Sequence, residues 1–278
     1  MAEGIRFLKE KSEGSDAELQ KERQGYIDLL VGALKRFYQE DAEEMFKGYP
    51  LDERTMVGCI ARYVWCDRHH VNFNGLKQDV DVEYNKNHKS EAEIQDKVFA
   101  EEKSCCNKDE CGPYPGCWPV IEQRIKERRK CQERHQCQIE CKVECEGVDE
   151  KEYKCKFRPD MIVHERGASG RTGNGMIVEF KKAITDDEFE KAEEGKITFD
   201  FAKIRFCTCA CRDYQYKIGA FVLLRRKMAD VIIFAEKEPI TLFSVTSDGE
   251  IAFDEKNGIH KQLRQLLENK SSQKEVAK

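Results

Sequence analysis

Apolar residues recur along this chain in two rhythms. Between residues 16 and 47, Leu19, Ile27, Leu30, Leu34 and Phe37 return at roughly helical spacing and predict a long amphipathic helix. Gly48-Tyr49-Pro50 stops it. Asp52 is placed to cap a second helix, Glu53 to about Arg68, with Met56, Val57, Ile60, Val64 and Trp65 on one side. The rhythm then shifts. In DVDVEYN, Asp79–Asn85, Val80, Val82 and Tyr84 alternate with acids, which predicts a strand. His69 to Lys77 reads as a loop, and residues 86–103 are polar without a clear core.

Further along, Asp160–His164 and Gly175–Lys181 read as two strands joined by a glycine-studded loop, and 187–205 as a helical region. Gly219–Leu224, Val231–Phe234 and Thr241–Val245 read as strands, and 256–269 as a terminal helix before a frayed tail. No internal repeat is visible. The order of elements predicts an α/β fold: a mixed central sheet flanked by helices.

The chain has 278 residues, 40% hydrophobic and 36% charged, enough for one large domain or one domain carrying an insertion. A formal net charge of −5 gives no global attraction to polyanions, so any such binding must come from local basic patches. No apolar run approaches the roughly 20 residues needed to span a bilayer. The opening MAEGIRFLKEKSEGSD has no apolar h-region. No membrane partner and an intracellular location, cytoplasmic or nuclear, are therefore expected. That expectation makes the 14 cysteines unusual, because disulfides are rare in a reducing compartment.

The candidate chemistry lies at the strand edges. In a strand, residues i and i+2 share a face, so Glu179 and Lys181 point the same way. If the two strands pair as a hairpin, Asp160 falls beside them. Carboxylates at that range repel unless a cation sits between them. A hard cation such as Mg²⁺ or Mn²⁺ suits oxygen donors, and it can lower the pKa of a bound water for attack on a phosphodiester. Each motif also has a bland reading: Pro-Asp is a common turn, and Glu-x-Lys is often a solvated strand face. The combination, in this order on adjacent apolar strands, raises the functional one.

Pro159-Asp160 followed by Glu179-Phe180-Lys181 resembles the PD-(D/E)xK nuclease superfamily, with its restriction-endonuclease-like fold. Asp52-Glu53-Arg54 opening a helix, Asp81-Val-Glu-Tyr-Asn85, Arg158-Pro-Asp-Met-Ile-Val-His164, and Tyr214-Gln215-Tyr216 before Gly219-Ala-Phe-Val are similar to a small branch of that superfamily. The resemblance implies that Asp160 and Glu179 ligate the metal, with the Phe180 carbonyl a further ligand, that Glu53 completes the site, and that Lys181 positions the attacking water. It places Gln215 and Tyr216 where substrate is contacted. Metal-dependent hydrolysis of nucleic acid, foremost DNA, is the implied activity. The rival is an inactive nuclease-like module that binds nucleic acid or protein and is stabilised by a cysteine-bound metal.

The departure from that pattern is a cysteine-rich insertion over 105–155, dividing a core made of 1–104 and 156–278. It holds Cys105, Cys106, Cys111, Cys117, Cys131, Cys137, Cys141, Cys145 and Cys155. Cys137, Cys141 and Cys145 are four apart and would line one face of a helix. Outside it, Cys207, Cys209 and Cys211 form a dense CxCxC. These twelve are candidate ligands for Zn²⁺ or an iron–sulfur cluster, although no CxxC pair occurs and several cysteines can equally be buried small hydrophobes. Cys59 and Cys66 are assigned to the core of the second helix. The stretch RIKERRKCQER, Arg124 to Arg134, has six basic residues against two acids and reads as a basic helix. Its Arg128 and Arg129 are candidate phosphate contacts. The loop with Gly167, Gly170, Gly173 and Gly175 is no P-loop, since no Gly-Lys-Ser/Thr follows.

Overall fold

The helical rhythm near the start of the chain becomes α1 (Ser15–Glu40), continued by the short α2 (Ala42–Phe46), and α3 (Glu53–Asp67). The computed structural model describes residues 15–47, 53–70, 78–82, 86–90, 93–96, 98–100, 145–148, 152–156, 158–166, 170–183, 191–210, 214–253 and 258–268. The first strand is β1 (Asp79–Val82). Then come β2 (Lys86–Ser90), β3 (Glu93–Asp96), β4 (Val98–Ala100), β5 (Cys145–Val148), β6 (Glu152–Lys156) and β7 (Met161–His164). The helical turn α4 (Gly170–Gly173) leads into β8 (Asn174–Lys182), and α5 (Lys191–Thr208) follows. The chain closes with β9 (Ile218–Leu224), β10 (Met228–Ala235), β11 (Glu238–Thr246), β12 (Ile251–Ala252) and α6 (Gly258–Glu268).

Among the described residues the main sheet has seven strands in the order β1-β7-β8-β9-β10-β11-β12. Only β8 and β9 are parallel, joined by the α5 crossover; the other pairs are antiparallel, so the sheet is mixed. Alternation along the strands divides the core between two faces. Met161, Val163, Met176, Val178, Phe180 and Val222 pack under α1 and α3. Phe221, Leu223, Ile232 and Phe234 pack under α5 and α6 with Phe201, Ile204 and Leu263. The molecule is therefore an α/β structure with helices on both faces of one sheet.

Several expectations are refined. Residues 86–100, read as polar and coreless, contain three strands. Of these, β2 pairs with β3, while β4 pairs with β6 and β6 with β5, in two small sheets apart from the main one. Strand β4 thus pairs with a strand of the predicted insertion although it precedes residue 105. Cys145 lies in β5, opposite Cys155 of β6, so the helix expected to carry Cys137, Cys141 and Cys145 on one face does not extend to Cys145. A spacing of four is helical only if the backbone is. Cys66 is exposed rather than in the core, because α3 turns that position outward; Cys59 is partly buried and packs on the core as expected.

A bulge in β8 shapes the centre of the sheet. Val163 pairs with Met176 but His164 with Asn174, leaving Gly175 as the extra residue. A Cβ there would overlap the buried Tyr26 ring of α1. Gly175→Ala is expected to destabilise the fold by about 1–3 kcal/mol, the cost of forcing extra volume into a packed interior. Chemical denaturation of the two proteins would check it.

One buried polar cluster anchors α6. His260 and Asp230, both fully buried, stand 2.9 Å apart, and Ser244 Oγ lies 3.0 Å from the same His260 Nε2. The trio has the composition of a catalytic triad but not its wiring. One imidazole nitrogen faces both partners, and the hydroxyl has no access to solvent. Arg225 completes the cluster through Asp230 at 2.7 Å. It is a clamp between β10, β11 and α6.

Candidate active site

The end of β8 extends past β7. The β7–β8 ladder ends at Met161↔Val178, whereas β8 continues beside β9 to Lys182↔Leu224. The amides of Phe180 and Lys182 therefore lack a strand partner on the β7 side, and buried backbone donors demand one. Two carboxylates supply it. Phe180 N–H donates to Asp160 Oδ2 at 2.8 Å, and Lys182 N–H donates to Glu53 Oε2 at 3.0 Å. Asp160 sits just before β7 and Glu53 opens α3, so the termination of one ladder gathers acids from two distant segments.

Glu179 and Lys181 share the face of β8 that turns away from α1 and α3, as strand alternation requires. Lys182 points to the other face, its ammonium over the Phe46 ring at 5.7 Å. The structure thus brings together Glu53, Asp160, Glu179 and Lys181. It adds two residues that the sequence reading did not single out: Asp200 and Lys203 of α5. Lys203 Nζ lies 2.5 Å from Glu179 Oε2 and 2.8 Å from Asp200 Oδ1. Lys181 Nζ lies 3.5 Å from Asp200 Oδ2 and 3.7 Å from Glu53 Oε1. A signal did exist: Asp200 and Lys203 are three apart, hence on one helix face, in the helix that follows the Glu-x-Lys strand.

Exposure grades across the group. The Glu179 side chain is 1% exposed and that of Asp200 7%, whereas Lys181 and Glu53 reach 21% and 28%. Burial pushes the Glu179 carboxyl well above its ordinary range; Lys203 opposes this, and Asp160 and Asp200 add to it. Burial also raises Asp160, against the pull of Lys203 and the Phe180 amide. For Lys181, burial works downward but is outweighed by Asp200, Glu53 and Asp160, which raise it and keep the ammonium charged. Among the described residues, Glu179 Oε1 is buried without a hydrogen-bond partner.

In donor chemistry these residues suit a hard cation: four carboxylates, no soft ligand, and one buried carboxylate oxygen left bare. In arrangement, Lys203 stands among them. Among the described residues no three His, Cys, Asp or Glu side chains are gathered as they would be around an ion, and Glu179 and Asp200 close on the ammonium instead.

The remaining predicted residues fall elsewhere. Gln215 and Tyr216 precede β9, and because β8 and β9 are parallel they lie level with the start of β8, not its end. Five residues of strand, about 16 Å, separate that level from Glu179. Gln215 has a left-handed backbone (φ 43°) and Tyr216 is buried, its N–H bonded to the Cys207 carbonyl at 2.9 Å. Cys207 and Cys209 are buried, neither in a disulfide. Cys105, Cys106, Cys111, Cys117, Cys131, Cys137, Cys141, Cys211, Arg128 and Arg129 lie outside the described residues. On the same sheet face as Asp160, Asp81 of β1 meets His164 Nε2 at 2.8 Å and Arg166 at 2.7 Å. Burial raises the Asp81 carboxyl, but the hydrogen bonds from His164 and Arg166 outweigh it and hold it low.

No protein family, curated protein or solved structure matches this chain. Among the described residues no helix is long and apolar enough to cross a membrane.

Proposed function

We propose that the chain is a metal-dependent phosphodiesterase of the PD-(D/E)xK type, with a restriction-endonuclease-like core, acting on nucleic acid and foremost on DNA. The observation that carries this reading is the convergence of Asp160, Glu179, Lys181 and Glu53 at one strand end, with Glu179 Oε1 buried and bare. Glu179 and Asp160 would hold Mg²⁺ or Mn²⁺, with Glu53 and Asp200 beside them. When bound, the ion supplies a water of lowered pKa and neutralises charge on the phosphorane.

The chain's own residues do the rest. The β8 amides hold the Asp160 and Glu53 carboxylates in place, so no ordering cost falls on the reacting state. Lys181, charged and at the more exposed rim, orients a water or faces the phosphate. Asp200, between two lysines, fixes both ammonium groups.

The test is cleavage of DNA and RNA, single- and double-stranded, in Mg²⁺, Mn²⁺ or EDTA, beside Asp160→Ala and Lys181→Met. Cutting that needs metal and is lost in both variants is expected. Cutting that persists in both would place the activity elsewhere, and no cutting by folded, metal-supplied protein would sink the reading. The second reading is a non-catalytic binding module, and one observation favours it: Lys203 already neutralises part of the acid group.

A further inference from the structure

Lys203 lies deeper than Lys181, with its side chain 9% exposed against 21%. Its ammonium touches Glu179 and Asp200 at once. The group holds four carboxylates (Glu53, Asp160, Glu179, Asp200) and two ammoniums (Lys181, Lys203), a formal balance of −2. That residue of charge equals one divalent cation. The bare Glu179 Oε1 shows that the lysine serves only one of the two oxygens it faces. A buried carboxylate oxygen without a partner is uncommon and calls for an explanation, of which an absent ion is one.

Resting on the phosphodiesterase reading, we infer that Lys203 is the resident counter-ion of the site and that a divalent cation binds by displacing its ammonium from Glu179 and Asp200. A lysine ammonium is a compact charge on a flexible four-carbon stem, and rotation about that stem carries it out from between the acids. Without metal, the ammonium offsets repulsion among buried carboxylates. With metal, Glu179 gains the cation it lacks at Oε1, and Lys203 moves towards the rim beside Lys181. There it meets a phosphate with a charge that was previously engaged. Metal and polyanion then favour each other's binding, because the first releases a cation for the second. Lys203 acts here as a positioning residue.

Titration calorimetry of the full chain with Mn²⁺ alone tests the exchange. Lys203→Met removes the competing charge and is expected to bind Mn²⁺ at least about tenfold tighter than the wild type, given the strength of charge interactions at this range. Lys203→Arg keeps the charge and is expected to stay near the wild-type affinity. If the Met variant fails to fold, the wild type decides the matter through acylation of the Lys203 amine, read by mass spectrometry. Labelling is expected to be low in EDTA and to rise with saturating Mn²⁺. Unchanged or weaker affinity in Lys203→Met, or unchanged labelling of the wild type, overturns the exchange. The two readings fail separately. Tighter Mn²⁺ binding without cleavage of any substrate removes the phosphodiesterase and leaves the exchange. Metal-dependent cleavage with Mn²⁺ affinity indifferent to Lys203→Met does the reverse.

Discussion

Glu179→Gln is expected to lower metal-dependent cleavage by about 10²–10³-fold, the scale of removing a principal electrostatic stabiliser, without lowering stability in EDTA. The two effects share one cause. Glu179 is buried beside Asp160 and Asp200, and burial and these like charges outweigh the attraction of Lys203, so its carboxyl titrates well above the ordinary range. The neutral amide removes that penalty and keeps the shape, and Lys203 retains Asp200 at 2.8 Å. The sign with pH follows. A carboxyl whose folded pKa is raised binds its proton more tightly when folded. The stability it contributes is complete below about pH 4.3, the ordinary glutamate value, and is lost as pH rises through the folded one. Metal-free wild type should therefore show a downward slope above that point that the Gln variant lacks. Denaturant midpoints across pH 4–8 measure it. A variant much less stable than wild type at pH 7 would mean that the Lys203 pair outweighs the penalty.

The largest effect on stability is expected at Asp230, in the clamp between β10, β11 and α6, level with Lys181 across the sheet. Its carboxylate is fully buried and meets Arg225, Ser244 and His260. Asp230→Ala leaves a buried guanidinium without that partner, and breaking a buried ion pair from one side costs about 3–5 kcal/mol. Burial alone would raise the Asp230 carboxyl, but His260, Arg225 and Ser244 together hold it below its usual range. Its contribution is thus present above about pH 3.9 and is lost as pH falls through the lowered folded value. The gap between wild type and variant should be widest near neutrality and should narrow in strong acid. Thermal or denaturant unfolding at several pH values shows it; an Ala variant within about 0.5 kcal/mol of wild type at pH 7, the ordinary range of a surface substitution, would mean that Arg225 finds another partner.

Much of this architecture is readable in the chain because one physical rule writes it. Strands such as IGAFVLL are apolar on both faces since helices cover both, and α1 and α3 keep a clean helical period because each buries one stripe. The meeting of Asp160 with Glu179 is legible for the same reason: a hairpin between adjacent strands sets which residues face each other. Asp200 and Lys203 were harder. α5 mixes polar and apolar residues around its circumference, so the three-residue spacing puts the pair on one face without telling whether that face turns inward or to solvent. Strands β2 and β3, KNHKS and EIQD, lack apolar alternation and are set by pairing. The placement of Gln215 and Tyr216 was in principle derivable. A crossover to a parallel strand returns the chain to the starting end of the sheet, so residues before β9 cannot stand beside the end of β8.

Asp160 and Glu53 are tethered to peptide groups of β8, not to side chains. Any non-proline residue at 180 or 182 offers the same N–H, so the identities of Phe180 and Lys182 do not set the tether, and each is constrained only by its own packing. In divergent descendants the acids would keep their places while the letters between them change. What heredity must preserve at this strand end is a length, the overhang of β8 past β7, more than a word.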